Sequence, residues 1–211
     1  MNKRTVIFDF DGTLADTLST AIEIYNSVAS SYGAKTINQE DIALLRSSRP
    51  QELMRSYGVT FWNLPRLALQ VKQGLKQQPV RLHPEIQDVI YKLSADGYTL
   101  GILSSNDVNF ILPILEQNHL LDTFTFVEGY GRIFGKHRAL KRIMRVRKLD
   151  PTDVIYIGDE TRDIEAAKRA GVSPIAVTWG FQTRNAFEKI STPTIIDSQD
   201  ELLAEISKLP Q

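Results

Sequence analysis

The chain of 211 residues predicts an α/β fold: a doubly wound parallel sheet carrying an inserted, all-helical domain. Three observations lead there. Short β-branched runs recur that are apolar almost throughout, as parallel strands covered on both faces require. Segments of helical periodicity, about 10 to 15 residues long, alternate with these runs. One long block, running from about residue 16 to residue 78, shows helical periods and no convincing strand.

The strand candidates are TVIFDF (5–10), YTLGILSS (98–105), FTFVEG (124–129), DVIYIGD (153–159) and SPIAVTW (173–179), each closed by Gly, Ser, Asp or an aromatic residue. The helical block after the first strand reads as four stretches, roughly 17–32, 39–46, 50–57 and 62–77. YGAKTIN, SSRP and YGVTF separate them and supply the turn residues. QQPVRLHP then returns the chain to the sheet, so the expected division is 1–15 with 80–211 as core and 16–79 as insertion, with hinges near Ala15–Thr17 and Pro79–Leu82. From Pro84 to Ala95, Ile86, Val89, Ile90 and Leu93 share one face, with Pro84 in the first turn. DGY at 96–98 stops that helix. Thr161 to Ala170 forms another, ended by Gly171, and a last helix spans Gln199 to Lys208.

Composition narrows the function. Lys plus Arg equals Asp plus Glu, 25 each, so no global field draws the chain to nucleic acid or to an anionic membrane. There is no cysteine, which excludes disulfides, thiolate metal sites and a cysteine nucleophile. No apolar run approaches the roughly 18 residues of a membrane span, and Asp9 ends the N-terminal run before it reaches the length of a signal core. The expectation is a cytoplasmic protein that binds neither nucleic acid nor membrane, as a monomer or homodimer. KHRALKRIMRVRK (136–148) holds seven basic residues, but Leu140, Ile143 and Met144 make it an amphipathic helix with a solvated basic face. Trp62 and Trp179 read as packing residues, and His83, His119 and His137 lack ligand spacing.

In parallel α/β sheets, ligands bind outside the carboxyl ends of the strands, so polar residues there carry the functional signal. Asp9 closes the apolar run Val6-Ile7-Phe8 and Asp11 follows Phe10, with Gly12 and Thr13 behind them. A carboxylate closing a buried run is costly unless paired, protonated or on a metal. Two together raise one pKa or demand a cation. Ser104, Ser105 and Asn106 end the second strand and can hold a phosphate without adding charge, although Ser and Asn are also ordinary caps for the helix starting near Asp107. Lys136 opens a helix, where the dipole opposes it, so a bound anion would account for it as well as simple solvation would. Asp159 closes a strand and Asp163 lies in the next first turn. Hard oxygen donors of this kind suit Mg²⁺, while first-turn placement alone suffices for Asp163.

In this order, DFDGTLADT, ILSSN, GK and YIGDETRD strongly resemble the haloacid dehalogenase-like superfamily, over essentially the whole chain. VTWGF, IIDSQDEL and GDETRDIEAAKRAG resemble its phosphoglycolate-phosphatase-like subgroup. The resemblance implies a Rossmann-like core with a C1-type helical cap and Mg²⁺-dependent hydrolysis of a small phosphate ester, 2-phosphoglycolate being the best single guess. It implies Asp9 as nucleophile, Asp11 as acid and base, and Ser104, Ser105, Asn106 and Lys136 as phosphate-binding groups. Metal binding falls to Asp9, Asp11 and Asp159, with Asp163 either in that set or orienting Lys136. In the cap, RSSRP offers Arg46 and Arg49 to a carboxylate or second phosphate, although solvated arginines at a helix junction explain them equally well. HRAL follows Lys136 where relatives commonly have proline, and Ser-Ser-Asn stands where Thr-Asn is frequent.

The chemistry fits the demand. Phosphate monoesters need accelerations of up to about 10²¹-fold, and a lone acid–base pair supplies roughly 10² to 10⁴. Covalent catalysis, charge neutralisation and positioning must all contribute. A sugar phosphomutase of the same superfamily and a non-catalytic regulator binding a phosphorylated ligand are the alternatives. A dehalogenase would need neither Asp11 nor a metal.

Overall fold

The computed structural model describes residues 4–47, 56–130 and 135–208. The expected helix over 50–57 falls largely in 48–55, and Arg49 with it, outside the described residues. The chain divides into two compact units, residues 1–15 with 82–211, and residues 16–81.

The first unit is built on six parallel strands in the order β3-β2-β1-β4-β5-β6. They are β1 (Thr5–Phe8), β2 (Thr99–Ser104), β3 (Phe126–Gly129), β4 (Val154–Gly158), β5 (Ser173–Val177) and β6 (Ile195–Ile196). β1 lies in the middle and pairs on both sides: Phe8 is level with Ile102 of β2 and with Ile157 of β4. All four of its residues are buried, which is why Val6, Ile7 and Phe8 follow one another without a polar interruption.

Helices cover the sheet: α4 (Ile86–Ala95), α5 (Val108–Gln117), α6 (Lys136–Arg147), α7 (Thr161–Ala170), α8 (Arg184–Lys189) and α9 (Gln199–Lys208). One layer of the core joins Ile7, Leu103, Phe126 and Tyr156 of the strands to Ala139, Leu140, Ile143 and Met144 of α6 and to Ala167 and Ala170 of α7. That is the apolar stripe of the basic segment, and its other residues are largely exposed. Gly97 and Gly171 end α4 and α7 with φ of 81° and 83°, the left-handed conformation that glycine takes without strain. Pro84 stands outside the helix it was expected to open, because Glu85 takes a left-handed turn, φ 62°, and α4 begins at Ile86.

The sequence did not reveal β6 or α8. β6 is two residues long, too short to carry a period, and exists by pairing with Ala176 and Val177. α8 buries Phe187 against Ile164 and Ala176, and Arg184 holds Asp197 at 2.7 Å.

The second unit contains α1 (Thr17–Ala29), α2 (Ile42–Ser47) and α3 (Leu64–Leu75). Asp16 caps α1 by accepting from Ser19 N–H at 3.1 Å. Tyr25, Ala29, Val59 and Leu67 form its core. The Tyr25 hydroxyl donates to the Lys35 carbonyl at 2.8 Å, and Asn26 pins Ile37 through both of its amide atoms. Trp62 is a correction: it is 85% exposed, stacked edge-on against the equally exposed Phe61 rather than packed in a core. Among the described residues no helix is long and apolar enough to cross a membrane.

Gly101 in β2 faces the Phe126 ring so closely that a Cβ there would stand 2.1 Å from Cζ. Gly101→Ala should therefore lower stability by about 1–3 kcal/mol in urea unfolding; an unchanged midpoint would mean that the ring has room to move aside.

Candidate active site

Parallel register brings the polar residues of three strands to one level. Asp9 follows Phe8, Ser104 ends β2 and Asp159 follows β4, with the Asp9 N–H donating to the Ile157 carbonyl at 2.8 Å. All three are buried, as are Lys136 and Asp163.

Lys136, the first residue of α6, donates from Nζ to Asp9 Oδ2 at 2.6 Å and to Asp163 Oδ1 at 2.5 Å. The anions that justify a lysine at this helix start are thus carboxylates already in the protein. Burial works to lower the Lys136 pKa, but Asp163 and Asp9 outweigh it and hold the ammonium well above its ordinary value. Asp163 serves both readings of its position: its Oδ2 accepts the Glu160 N–H at 3.1 Å, closing the cap of α7, while Oδ1 holds Lys136.

Asp9 Oδ1 accepts the Phe10 N–H at 2.8 Å. Burial pushes the Asp9 carboxyl up to about 7, against the pull of Lys136 and with repulsion from Asp163 and Asp11 added. Asp159 is driven well above the carboxylate range, first by burial and then by Asp163 and Asp9. Its Oδ1 accepts from Thr13 Oγ at 2.8 Å and its Oδ2 from the Phe181 N–H at 2.7 Å.

Asp11 is held from β2. Asn106 Nδ2 donates to both of its carboxylate oxygens, at 3.0 and 2.8 Å, and Ser104 Oγ lies 3.5 Å from Oδ2. Capping does not explain these residues, because the cap of α5 is Asp107, whose side chain accepts the Asn109 N–H at 3.0 Å. Ser104 and Asn106 are left to face the acid. Ser105 stands half-buried in the same turn. Arg46 belongs to the other unit, in the last turn of α2.

Several further residues support these acids. Thr13 bonds Asp159 rather than its own turn, and Trp179 donates from Nε1 to the Thr13 carbonyl at 3.0 Å, a polar duty beyond packing. Cβ atoms on Gly12 and Gly180 would stand 2.1 and 2.3 Å from Asp159 Oδ2, so both positions must be bare for that carboxylate to sit where it does.

The donor set suits a hard divalent cation. Asp9, Asp159 and Asp163 each offer a buried carboxylate oxygen, all within 4.8 Å of one another, and a single ammonium leaves this cluster in negative excess. Haloacid dehalogenase-like hydrolases generally use a metal ion.

A family model described as haloacid dehalogenase-like hydrolase matches residues 6–177. A phosphoglycolate phosphatase of Synechococcus elongatus is 34% identical over 208 residues, covering 98% of each chain. One of Aliivibrio fischeri is 27% identical over 225 residues, covering 97% of this chain and 96% of its own. A haloacid dehalogenase-like family hydrolase from Streptococcus pneumoniae shares the fold at a TM-score of 0.78 and 20% identity, over 97% of this chain and 99% of its own. With this site on this sheet, the chain belongs to the haloacid dehalogenase-like hydrolase family and is a phosphatase-type enzyme of it.

Proposed function

We propose that the protein is a Mg²⁺-dependent phosphatase that hydrolyses a small phosphorylated metabolite, with 2-phosphoglycolate the leading candidate, through an aspartyl-phosphate on Asp9. The observation that carries this reading is the pairing of Asp9 with Lys136 at 2.6 Å, beside an Asp11 held from β2 by Asn106. The 34% identity to a phosphoglycolate phosphatase along nearly the full length supports the substrate.

The roles follow from position. Asp9 Oδ attacks phosphorus as the ester P–O bond breaks, and Asp11 gives its proton to the departing oxygen. Water then attacks the aspartyl-phosphate, Asp11 takes the proton of that water, and inorganic phosphate leaves with Asp9 restored. Asn106 keeps Asp11 aimed in both halves. Ser104, Ser105 and Asn106 bind the non-bridging oxygens of the phosphoryl group with Lys136, whose ammonium is shared with Asp163 so that it meets that group in a fixed place. The metal would be held by the side chains of Asp9 and Asp159 and the backbone carbonyl of Asp11, with Asp163 positioning Lys136. Bound there, Mg²⁺ supplies the charge neutralisation that lets a phosphate dianion meet an anionic nucleophile. The unit of residues 16–81 acts as the cap that selects the leaving group, with Arg46 a contact for its anionic end.

Asp9→Asn should reduce steady-state phosphate release by more than about 10³-fold, and chelation should stop the wild type until Mg²⁺ is returned. Turnover surviving in the variant would exclude the covalent route. Arg46→Ala should cost about tenfold in kcat/KM on a carboxylate-bearing ester while leaving hydrolysis of a small aryl phosphate nearly unchanged. Equal losses on both esters would remove Arg46 from substrate recognition.

A further inference from the structure

Lys136 has neighbours beyond its two carboxylates. Its Nζ lies 5.3 Å from the centroid of the Tyr156 ring and 5.9 Å from that of Tyr130. Both distances fall within the range at which an ammonium is attracted to an aromatic face. The two rings differ in what they do. Tyr156 is wholly buried in β4; its hydroxyl donates to the Leu103 carbonyl at 3.2 Å and its oxygen faces the Lys136 ammonium as a hydrogen-bond acceptor. Tyr130 follows β3, is only partly buried, and joins Lys136, His137, Arg162 and Asp163 in lining a cavity of about 250 Å³. The cavity therefore has both Lys136 and Tyr130 in its wall.

We infer that Tyr130 is a positioning residue for Lys136: its ring covers the ammonium on the cavity side. The argument is one of competition. An ammonium has three N–H donors. Asp9 and Asp163 take two of them, and for the third the Tyr156 hydroxyl oxygen, substrate phosphate and water compete. Water entering through the cavity would occupy that donor and raise the local dielectric, weakening attraction for a phosphoryl oxygen. An aromatic face attracts the cation without accepting a directional hydrogen bond, so the Tyr130 ring excludes water without itself taking the third N–H. The ring, rather than its hydroxyl, is the active part.

This inference rests on the reading of Lys136 as a phosphate-binding group, and the test separates the two. Inorganic phosphate binding is measured by calorimetry in Mg²⁺ buffer, with steady-state kinetics, on the wild type, Tyr130→Phe, Tyr130→Leu and Lys136→Ala, each checked for an unaltered melting temperature. Tyr130→Phe should match the wild type. Tyr130→Leu should weaken phosphate binding and raise KM by roughly three- to thirtyfold, with a smaller change in kcat. Lys136→Ala should lose more than either. If Tyr130→Phe loses as much as Tyr130→Leu, the hydroxyl matters and the inference falls. If Tyr130→Leu binds phosphate as the wild type does while Lys136→Ala does not, the positioning role is wrong and the function stands. If Lys136→Ala itself binds phosphate normally, the reading of Lys136 fails first. Should Tyr130→Leu melt early, Tyr130→Met, with comparable bulk and no ring, replaces it and is held to the same two outcomes.

Discussion

The buried carboxylates at the ends of β1 and β4 are the constraint on which the rest of the structure depends. An unpaired carboxylate in a protein interior costs several kcal/mol, yet Asp9, Asp159 and Asp163 lie close enough to share one ion. Lys136 answers two of them directly. Burial pushes Asp9 up to about 7, and the ammonium 2.6 Å away pulls against that without cancelling it. The sheet and helices tolerate this charge because the parallel register fixes the strand ends beside one another, and the carboxylates come with them. A site of such negative excess is poised for a cation and an electrophilic phosphoryl group, and it is poor at anything that requires both to be absent.

The chain as a whole is neutral, with 25 basic and 25 acidic residues, so the field that matters is local. Most of the basic residues of α6 point to solvent, while its first residue is buried among acids. One helix thus does two electrostatic jobs. Its exposed face keeps the protein hydrated, and its N-terminus delivers a single cation to the one place where negative charge is concentrated. Counting charge along the segment would suggest a nucleic-acid patch; asking which residue is buried singles out Lys136 instead.

The strands through β5, the helices α4, α7 and α9, and the acids gathered at the strand ends were legible in the sequence because their signals are local: apolar runs, helical periods, and acids where a strand should stay apolar. What was hidden depends on distant parts of the chain. β6 is two residues made into a strand by β5, and Phe187 of α8 owes its burial to Ile164 and Ala176. Trp62 misled because a large apolar side chain usually packs, and nothing local says that this one faces outward at 85% exposure. Ser104 and Asn106 read equally well as helix caps until the structure shows Asp107 doing that work and Asn106 turned to Asp11.

The same division explains why the acids were easier to find than the residues that hold them. A carboxylate announces itself by its cost, whereas support can come from a missing side chain. Gly12 and Gly180 approach Asp159 from segments far apart in sequence, and a methyl group on either would fall within 2.3 Å of its carboxylate. Gly158 does the same beneath Asp163, where a Cβ would stand 2.6 Å from that residue's own. Add the Phe181 N–H at 2.7 Å, and Asp159 is gripped by backbone on one side and by Thr13 on the other. Precision here comes from close approach of main chain, which the glycine of DFDGT signals and the surroundings of Gly158 and Gly180 do not. The acids are therefore oriented by groups that would tolerate no enlargement, and the tolerance of this site to substitution should be narrowest where the sequence looks least informative.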